Sequence, residues 1–344
     1  MKKIIDRSNF LHKLFHWEYW PFLTVYLPVI CYYVILSFLS RSFLWFSTTN
    51  PGRKNKKLFG DEKWDIIQQF PSEWIPKTVF VPKELELAQI IEAFSNAGIE
   101  YPCFAKPDIG EQGWQVKKLK NDGDLQQYLQ QQRFDFLIQE AIMLPLEVSI
   151  FYIRLPKEDK GKVTGLVIKE MLSVEGNGHD NLQKLIQDLP RARFQWKRLK
   201  DEAHDFTYVP VRGEKVQLSY IGNHCKGAIF YDGSTFIDDD LHLVADMISK
   251  KVAGFYYGRY DIKCTSLEDL KKGQHFKIIE LNGVGSEPTY IYDPNYRYFK
   301  AQKEIMWHMH TMWRVAMQNH RLGNPFLTFR QTWRKWGHLL AHEE

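Results

Sequence analysis

The stretch WPFLTVYLPVICYYVILSFL, residues 20–39, carries no charge over its whole length. A helix that is apolar on every side must be covered by its own protein or by lipid. The run only just matches the roughly 20 residues that a hydrocarbon core requires. Pro21 suits a first helical turn, whereas Pro28 would kink a span or make it re-entrant. The segment lies too far from residue 1, and lacks the small-residue cleavage site, to read as a removable signal. The expectation is an uncleaved anchor that spans a bilayer or lies in its interface. A buried core helix is the alternative.

Charge bears on that choice. Residues 1–60 hold nine Lys/Arg against Asp6 and Glu18, and residues 300–344 hold seven against three, so a net charge of +5 conceals basic ends around an acidic middle. This argues against a general nucleic-acid binder and for ends that meet an anionic surface, phospholipid above all. Arg41 and the RKNKK run at 53–57 flank the apolar segment as juxtamembrane cations do. Residues 299–344 set Trp307, Trp313, Trp333 and Trp336 among Arg and His, and read as basic aromatic helices that lie on a membrane or pack on their own domain. His308 and His310, two apart, point away from each other on a helix and make a poor metal pair. Cys31, Cys103, Cys225 and Cys264 have no paired spacing, which fits a reducing compartment.

Between the ends, periodicity predicts helices at WDIIQQF, ELAQIIEAFSNAG, NLQKLIQDL and LHLVADMISKKVAG. It predicts strands at TVFVP, CFAKP, WQVKKL, FLIQEAI, LEVSIFYIRL, VTGLVIKEML, YGRYDIKC and HFKIIELNG, with a strand pair around 215–231. The fold class is α+β with antiparallel hairpins, without repeats or low-complexity linkers.

Two constellations carry chemistry. In YPCFAKPDIGEQGWQ, Lys106 ends a strand ahead of a loop in which Gly110 and Gly113 permit the backbone of a phosphate-binding nest. Ordinary hairpin turn chemistry is the plainer reading of those glycines. Farther on, Glu280 and Asn282 share a strand face, Ile279 and Leu281 face the core, and Asp261 opposes them from the preceding strand with Arg259 beside it. Three oxygen ligands without His or Cys suit Mg²⁺ shared with nucleotide phosphates; an edge hairpin with solvated acids is the alternative. Lys169, at the end of an apolar strand, needs an anionic partner.

From about residue 60 to 295 the chain resembles the ATP-grasp superfamily, on its D-alanine–D-alanine ligase and cyanophycin synthetase side. The motifs that carry the resemblance follow in order: the Lys-Pro and glycine loop at 106–113, Gln139-Glu140 with Glu147, Lys169, EGNGHDNLQKLI, NHCKGA, Arg259-Tyr-Asp261 and Glu280-Leu-Asn282. The resemblance implies an ATP-grasp fold, with two antiparallel-sheet α+β subdomains clamping a nucleotide under a mobile glycine loop. It divides the chain into a membrane-associated or transmembrane segment at 1–48, a truncated region at 49–100, the nucleotide-binding and catalytic region at 101–298, and the C-terminal helices at 299–344.

The same resemblance implies ATP and Mg²⁺ as cofactors, with Mn²⁺ as a substitute. Lys106, Lys169, Lys63, Gly110 and Gly113 would meet phosphates, and Gln139, Glu140 and the hinge through Ile142 would meet adenine. Glu147 would meet ribose, and Asp261, Glu280 and Asn282 the metal. Arg259 and Lys169 would be catalytic, with Asn223 and Ser286 as substrate contacts. The implied reaction joins a carboxylate to an amine through an acyl phosphate. A phosphotransferase, or a membrane-tethered nucleotide-binding protein without turnover, are the other readings. GVGSEPTYIYDP departs from a D-alanyl acceptor pattern, so the expected partners are small-molecule or lipid-linked acids and amines together with membrane lipid. A homodimer is compatible with the sequence. The expected location is the inner (cytoplasmic) membrane, with the catalytic region on its cytoplasmic side.

Overall fold

The computed structural model describes residues 9–52, 63–110, 113–202 and 204–332. Eleven strands are found among them, in three sheets that are antiparallel throughout. The first sheet joins β1 (Thr78–Val81), β2 (Cys103–Pro107), β3 (Lys117–Leu119) and β4 (Phe136–Glu140) in the order β1-β4-β2-β3. Its core, with Val81, Ala105, Phe136 and Ile138, is covered by helices Leu87–Asn96 and Asp122–Gln131. The first of these helices begins at a reciprocal capping box between Glu86 and Gln89, and ends where Gly98 turns left-handed at φ 65°.

The second sheet joins β5 (Leu146–Ile153), β6 (Lys162–Glu170), β9 (Ile229–Asp232), β10 (Tyr257–Cys264) and β11 (Phe276–Asn282) in the order β11-β10-β5-β6-β9. Two short strands, β7 (Ser173–Glu175) and β8 (Lys215–Gln217), pair only with each other. The predicted strand pair around 215–231 is therefore corrected. β8 turns back to β7, while β9 adds an edge to the second sheet through β6.

Strand alternation places the site. On β5, Ile150 and Tyr152 face a core shared with helix Asp239–Ser249, so Glu147, Ser149, Phe151 and Ile153 line the opposite face. That face changes character along its length. At one end Phe151 and Ile153 pair with Arg259 and Tyr257 of β10, and the apolar members join Leu36, Trp45, Met312 and Val315. At the other end Ser149 pairs with Asp261 and Glu147 with Lys263, and among the described residues no apolar cluster takes them up. One register thus supplies both a terminal packing surface and a charged site.

The apolar half is covered by helices Phe22–Ser40 and Tyr298–Arg321, which run side by side in the same direction. Gln302 Nε2 donates to Val25 O (2.8 Å), Tyr32 Oη meets His310 Nδ1 (2.9 Å), and Trp313 Nε1 donates to Ser40 Oγ (2.7 Å). Pro28 lies inside the first helix and has no N–H to give Thr24, whose carbonyl instead accepts from Tyr298 Oη at 3.3 Å. Past this helix, Trp45 is fully enclosed, and Asn50 clips the chain to β10 by accepting from Tyr256 N and donating to Tyr257 O. RKNKK, Trp333 and Trp336 lie outside the described residues.

Candidate active site

Lys106 projects from β2 on the side away from the first sheet's core. Its Nζ donates to Gln139 Oε1 (2.9 Å) and reaches Ile279 O of β11 (3.4 Å), so one buried ammonium links the two main sheets. Burial pulls its pKa down to about 8, with Glu280 opposing that pull and Lys63 adding to it. Lys63 opens a short helix, Lys63–Ile67, and its Nζ donates to Gly110 O at 2.6 Å. At the far side of the glycine loop, Lys226 Nζ donates to Gly113 O at 2.6 Å. Gly113 is left-handed at φ 69°, and a Cβ there would press on Ile221 and Lys226. Glu111 and Gln112, between the two anchored ends, lie outside the described residues.

The second sheet supplies the opposing charges. Lys169 Nζ lies 3.1 Å from both Glu147 Oε1 and Asp261 Oδ1. Burial works against its charge, yet the two carboxylates hold its pKa above the ordinary lysine range. Asp261 also accepts from Ser149 Oγ and lies 3.4 Å from Arg259 Nε. Burial alone would raise the Asp261 pKa, but Arg259 and Lys169 outweigh it and hold the carboxyl well below its usual range. Arg259 Nε is buried and makes no hydrogen bond among the described residues. Gly222 covers this cluster so closely that a Cβ would fall 2.2 Å from Glu147 Oε1.

The metal candidates lie on paired strands, with Asp261 opposite Glu280 and Arg259 opposite Asn282. A register shift between Asp261 and Ile262 breaks simple alternation, which corrects one sequence reading: Ile278 and Leu281 are the core residues, and Ile279 instead turns its carbonyl to Lys106. Asn282 Nδ2 approaches Asp261 Oδ2 at 3.4 Å, leaving the amide oxygen free of that contact, and none of the ion pairs among the described residues takes up Glu280. No group of three His, Cys, Asp or Glu side chains able to hold a metal occurs among the described residues. Two carboxylates and an amide oxygen fit a hard cation that completes its shell with phosphate oxygens, rather than an all-protein cage.

Other predicted residues are engaged locally. Gln139 bridges Lys106 and Thr78, Glu140 accepts from Lys77 N (2.8 Å), and Ile142 O accepts from Lys263 Nζ (3.0 Å). Asn223 caps the turn at His224–Lys226, and Ser286 Oγ donates to Asn282 O (2.7 Å). The structure brings Lys106, Glu147, Lys169, Arg259, Asp261, Glu280 and Asn282 to one locus between the sheets. Ser149 and Lys263 were missed by motif reading, although their i,i+2 spacing from Glu147 and Asp261 signals the shared face.

Two antiparallel α+β lobes carry these groups in the chain order that the sequence resemblance implies. The fold is mixed α+β with antiparallel sheets. No protein-family model and no curated protein matches the chain. Among solved structures it is similar to a D-Ala:D-Ser ligase of Enterococcus faecalis, at 14% identity over 81% of this chain and 64% of that one, with TM-score 0.41. It is also similar to a D-alanine–D-alanine ligase of Coxiella burnetii, at 9% over 81% and 61%, TM-score 0.41. A third is a bifunctional glutathione synthetase of Pasteurella multocida, at 15% over 71% and 35%, TM-score 0.36. The chain spans less than two thirds of the length of each of these three.

Proposed function

We propose that the protein is a membrane-associated, ATP- and Mg²⁺-dependent carboxylate–amine ligase that acts through an acyl phosphate. One observation carries the reading: buried lysines from opposing sheets, Lys106 and Lys169, converge on a locus where the Arg259 Nε–H, 3.4 Å from Asp261, is buried without a hydrogen bond among the described residues. Such an arrangement suits a polyanion that replaces internal contacts with its own oxygens. Lys106, Lys169 and Lys63 bear phosphate charge, with Gly110 and Gly113 beside the phosphates. Gln139, Glu140 and Ile142 meet the adenine edge and Glu147 the ribose.

Arg259 stabilises the oxyanion that forms when the amine attacks the activated carbonyl, with Asn223 and Ser286 contacting substrate. Asp261, Glu280 and Asn282 would hold Mg²⁺, which would supply charge neutralisation for the transferred phosphoryl group. No side-chain nucleophile is needed, because an oxide leaving group is replaced by phosphate. The acid and amine are small or lipid-linked, and the catalytic body lies on the cytoplasmic face, where ATP is found.

The test is ADP and phosphate release by the purified chain with ATP and Mg²⁺, screened against carboxylates and amines singly and in pairs, lipid-derived ones included. Release that requires both partners supports the ligase. Release with one alone would replace it with a phosphotransferase, and nucleotide binding without release with a tethered binding protein.

A further inference from the structure

The helix Phe22–Ser40 is apolar all round, but among the described residues it is covered on one side only. Val25, Val29 and Leu36 point into the body, whereas Leu23 (67% exposed), Leu27, Ile30, Ile35, Phe38 (71% exposed) and Leu39 point away from it. Phe10, Leu14 and Phe15 on the preceding helix and Phe43 beyond it are exposed as well. An apolar surface of this extent has to be matched by something other than water.

We propose that this outward face docks in the plane of a phospholipid bilayer, holding the catalytic body against one side of the membrane without crossing it. The inference rests on the membrane association proposed above and is independent of the chemistry. Three observations carry it. First, the helix is tied to the Tyr298–Arg321 helix at its start, middle and end through Val25, Tyr32 and Ser40, so the pair moves as one. If the first helix crossed upright, the partner helix tied along it would carry Lys303, Glu304 and His310 into the hydrocarbon between the two tied ends, where ionisable groups are costly. A helix lying flat keeps them out.

Second, the charges beside the apolar face suit anionic headgroups. Lys13 and Arg41 flank it in the fold, and the sequence continues into the RKNKK run. A second copy of the chain would bring the same positive charges to the same face, so self-association there works against repulsion. Third, the docked helix reaches the site. Tyr26 Oη donates to Glu287, which also accepts from Tyr292 Oη (2.8 Å), on the loop that follows the candidate metal ligand Asn282. A lipid-linked substrate would therefore meet the acceptor end of the site at the membrane surface.

The native cysteines make the test direct. Cys31 is exposed on this helix, Cys225 is exposed elsewhere, and Cys103 and Cys264 are buried. The full chain, carrying an epitope tag at residue 1, is added to sealed phosphatidylcholine vesicles with or without phosphatidylglycerol. Expected are flotation that strengthens with phosphatidylglycerol, loss of Cys31 labelling by a water-soluble maleimide while Cys225 still reacts, and an N-terminal tag that external protease removes. The double substitution L27S/F38S should weaken flotation about tenfold or more while leaving the circular dichroism spectrum unchanged, since both side chains are solvent-exposed.

Flotation with a protease-protected tag would overturn the in-plane arrangement and replace it with a span. Absence of flotation, or Cys31 that stays reactive on vesicles, would overturn lipid docking. A lipid-free dimer in which Cys31 is already shielded would assign the face to a second copy. None of these readouts uses turnover, so a failed ligase screen and a failed docking test remain distinguishable.

Discussion

Two regions invert the ordinary rule of burial in opposite senses. On the second sheet, Glu147, Lys169, Arg259 and Asp261 bring charge into the interior; on the helix Phe22–Ser40, leucines and phenylalanines face outward. The charged set is partly self-compensated. Ion pairs and the Ser149 hydroxyl hold it together, while the buried Arg259 Nε–H makes no hydrogen bond and the Glu280 carboxylate no ion pair among the described residues. Among the described residues the apolar face has no such internal compensation, because hydrocarbon makes no directional bond that a neighbouring side chain could supply. The contrast teaches that buried charge can be compensated by neighbouring side chains, whereas exposed apolar surface cannot be compensated in that way.

The largest expected effect breaks the first half of this comparison. Glu280→Gln keeps shape and removes one anionic metal ligand, so metal-dependent ADP release should fall by about a thousandfold or more while the thermal midpoint stays within a few degrees. Unchanged turnover would remove the metal assignment. Trp45→Ala tests whether the chain after the apolar helix belongs to the folded body: enclosed as it is against Leu36 and Val315, its loss should cost about 3–5 kcal/mol in denaturant unfolding. A cost below about 1 kcal/mol would mean that this segment folds apart from the rest.

Acid exposes the seam between the two regions. His308 is buried against Phe151 and Tyr290, and burial lowers its pKa to about 3. The unfolded chain binds a proton at this position near pH 6.5 and the folded chain only near pH 3, so stability falls as pH drops through that window. His308→Gln should therefore lose less stability than the parent between pH 6.5 and 4, by on the order of 3 kcal/mol, read from urea midpoints at each pH. Equal slopes for the two proteins would show that the imidazole is solvated. The smallest effect joins the two regions: Tyr26→Phe removes the hydroxyl that meets Glu287 and should cost about 1 kcal/mol, with any change in turnover confined to the amine substrate's KM.

Much of the fold was legible because strand and helix periods are local. YGRYDIKC and CFAKP are strands over the full lengths read from the sequence, and the helix from Leu87 stops at Gly98 as its composition requires. Alternation also put Asp261 and Arg259 on one face, two of the seven residues that the structure brings together. It failed at Ile279, where a register shift moved the core positions to Ile278 and Leu281, and at 215–231, where two short strands chose different partners. Both failures depend on pairing between residues distant in the chain, which no local period encodes.

The uncharged run at 20–39 shows the same division. By itself the sequence determined that this segment is a helix no water can cover, and that cations stand beside it. Only the tertiary structure decided that one side of it seals the sheet while the other stays open. A helix apolar on every side carries no mark of which side meets protein, and that choice was made by Gln302, His310 and Trp313 on a helix nearly three hundred residues away.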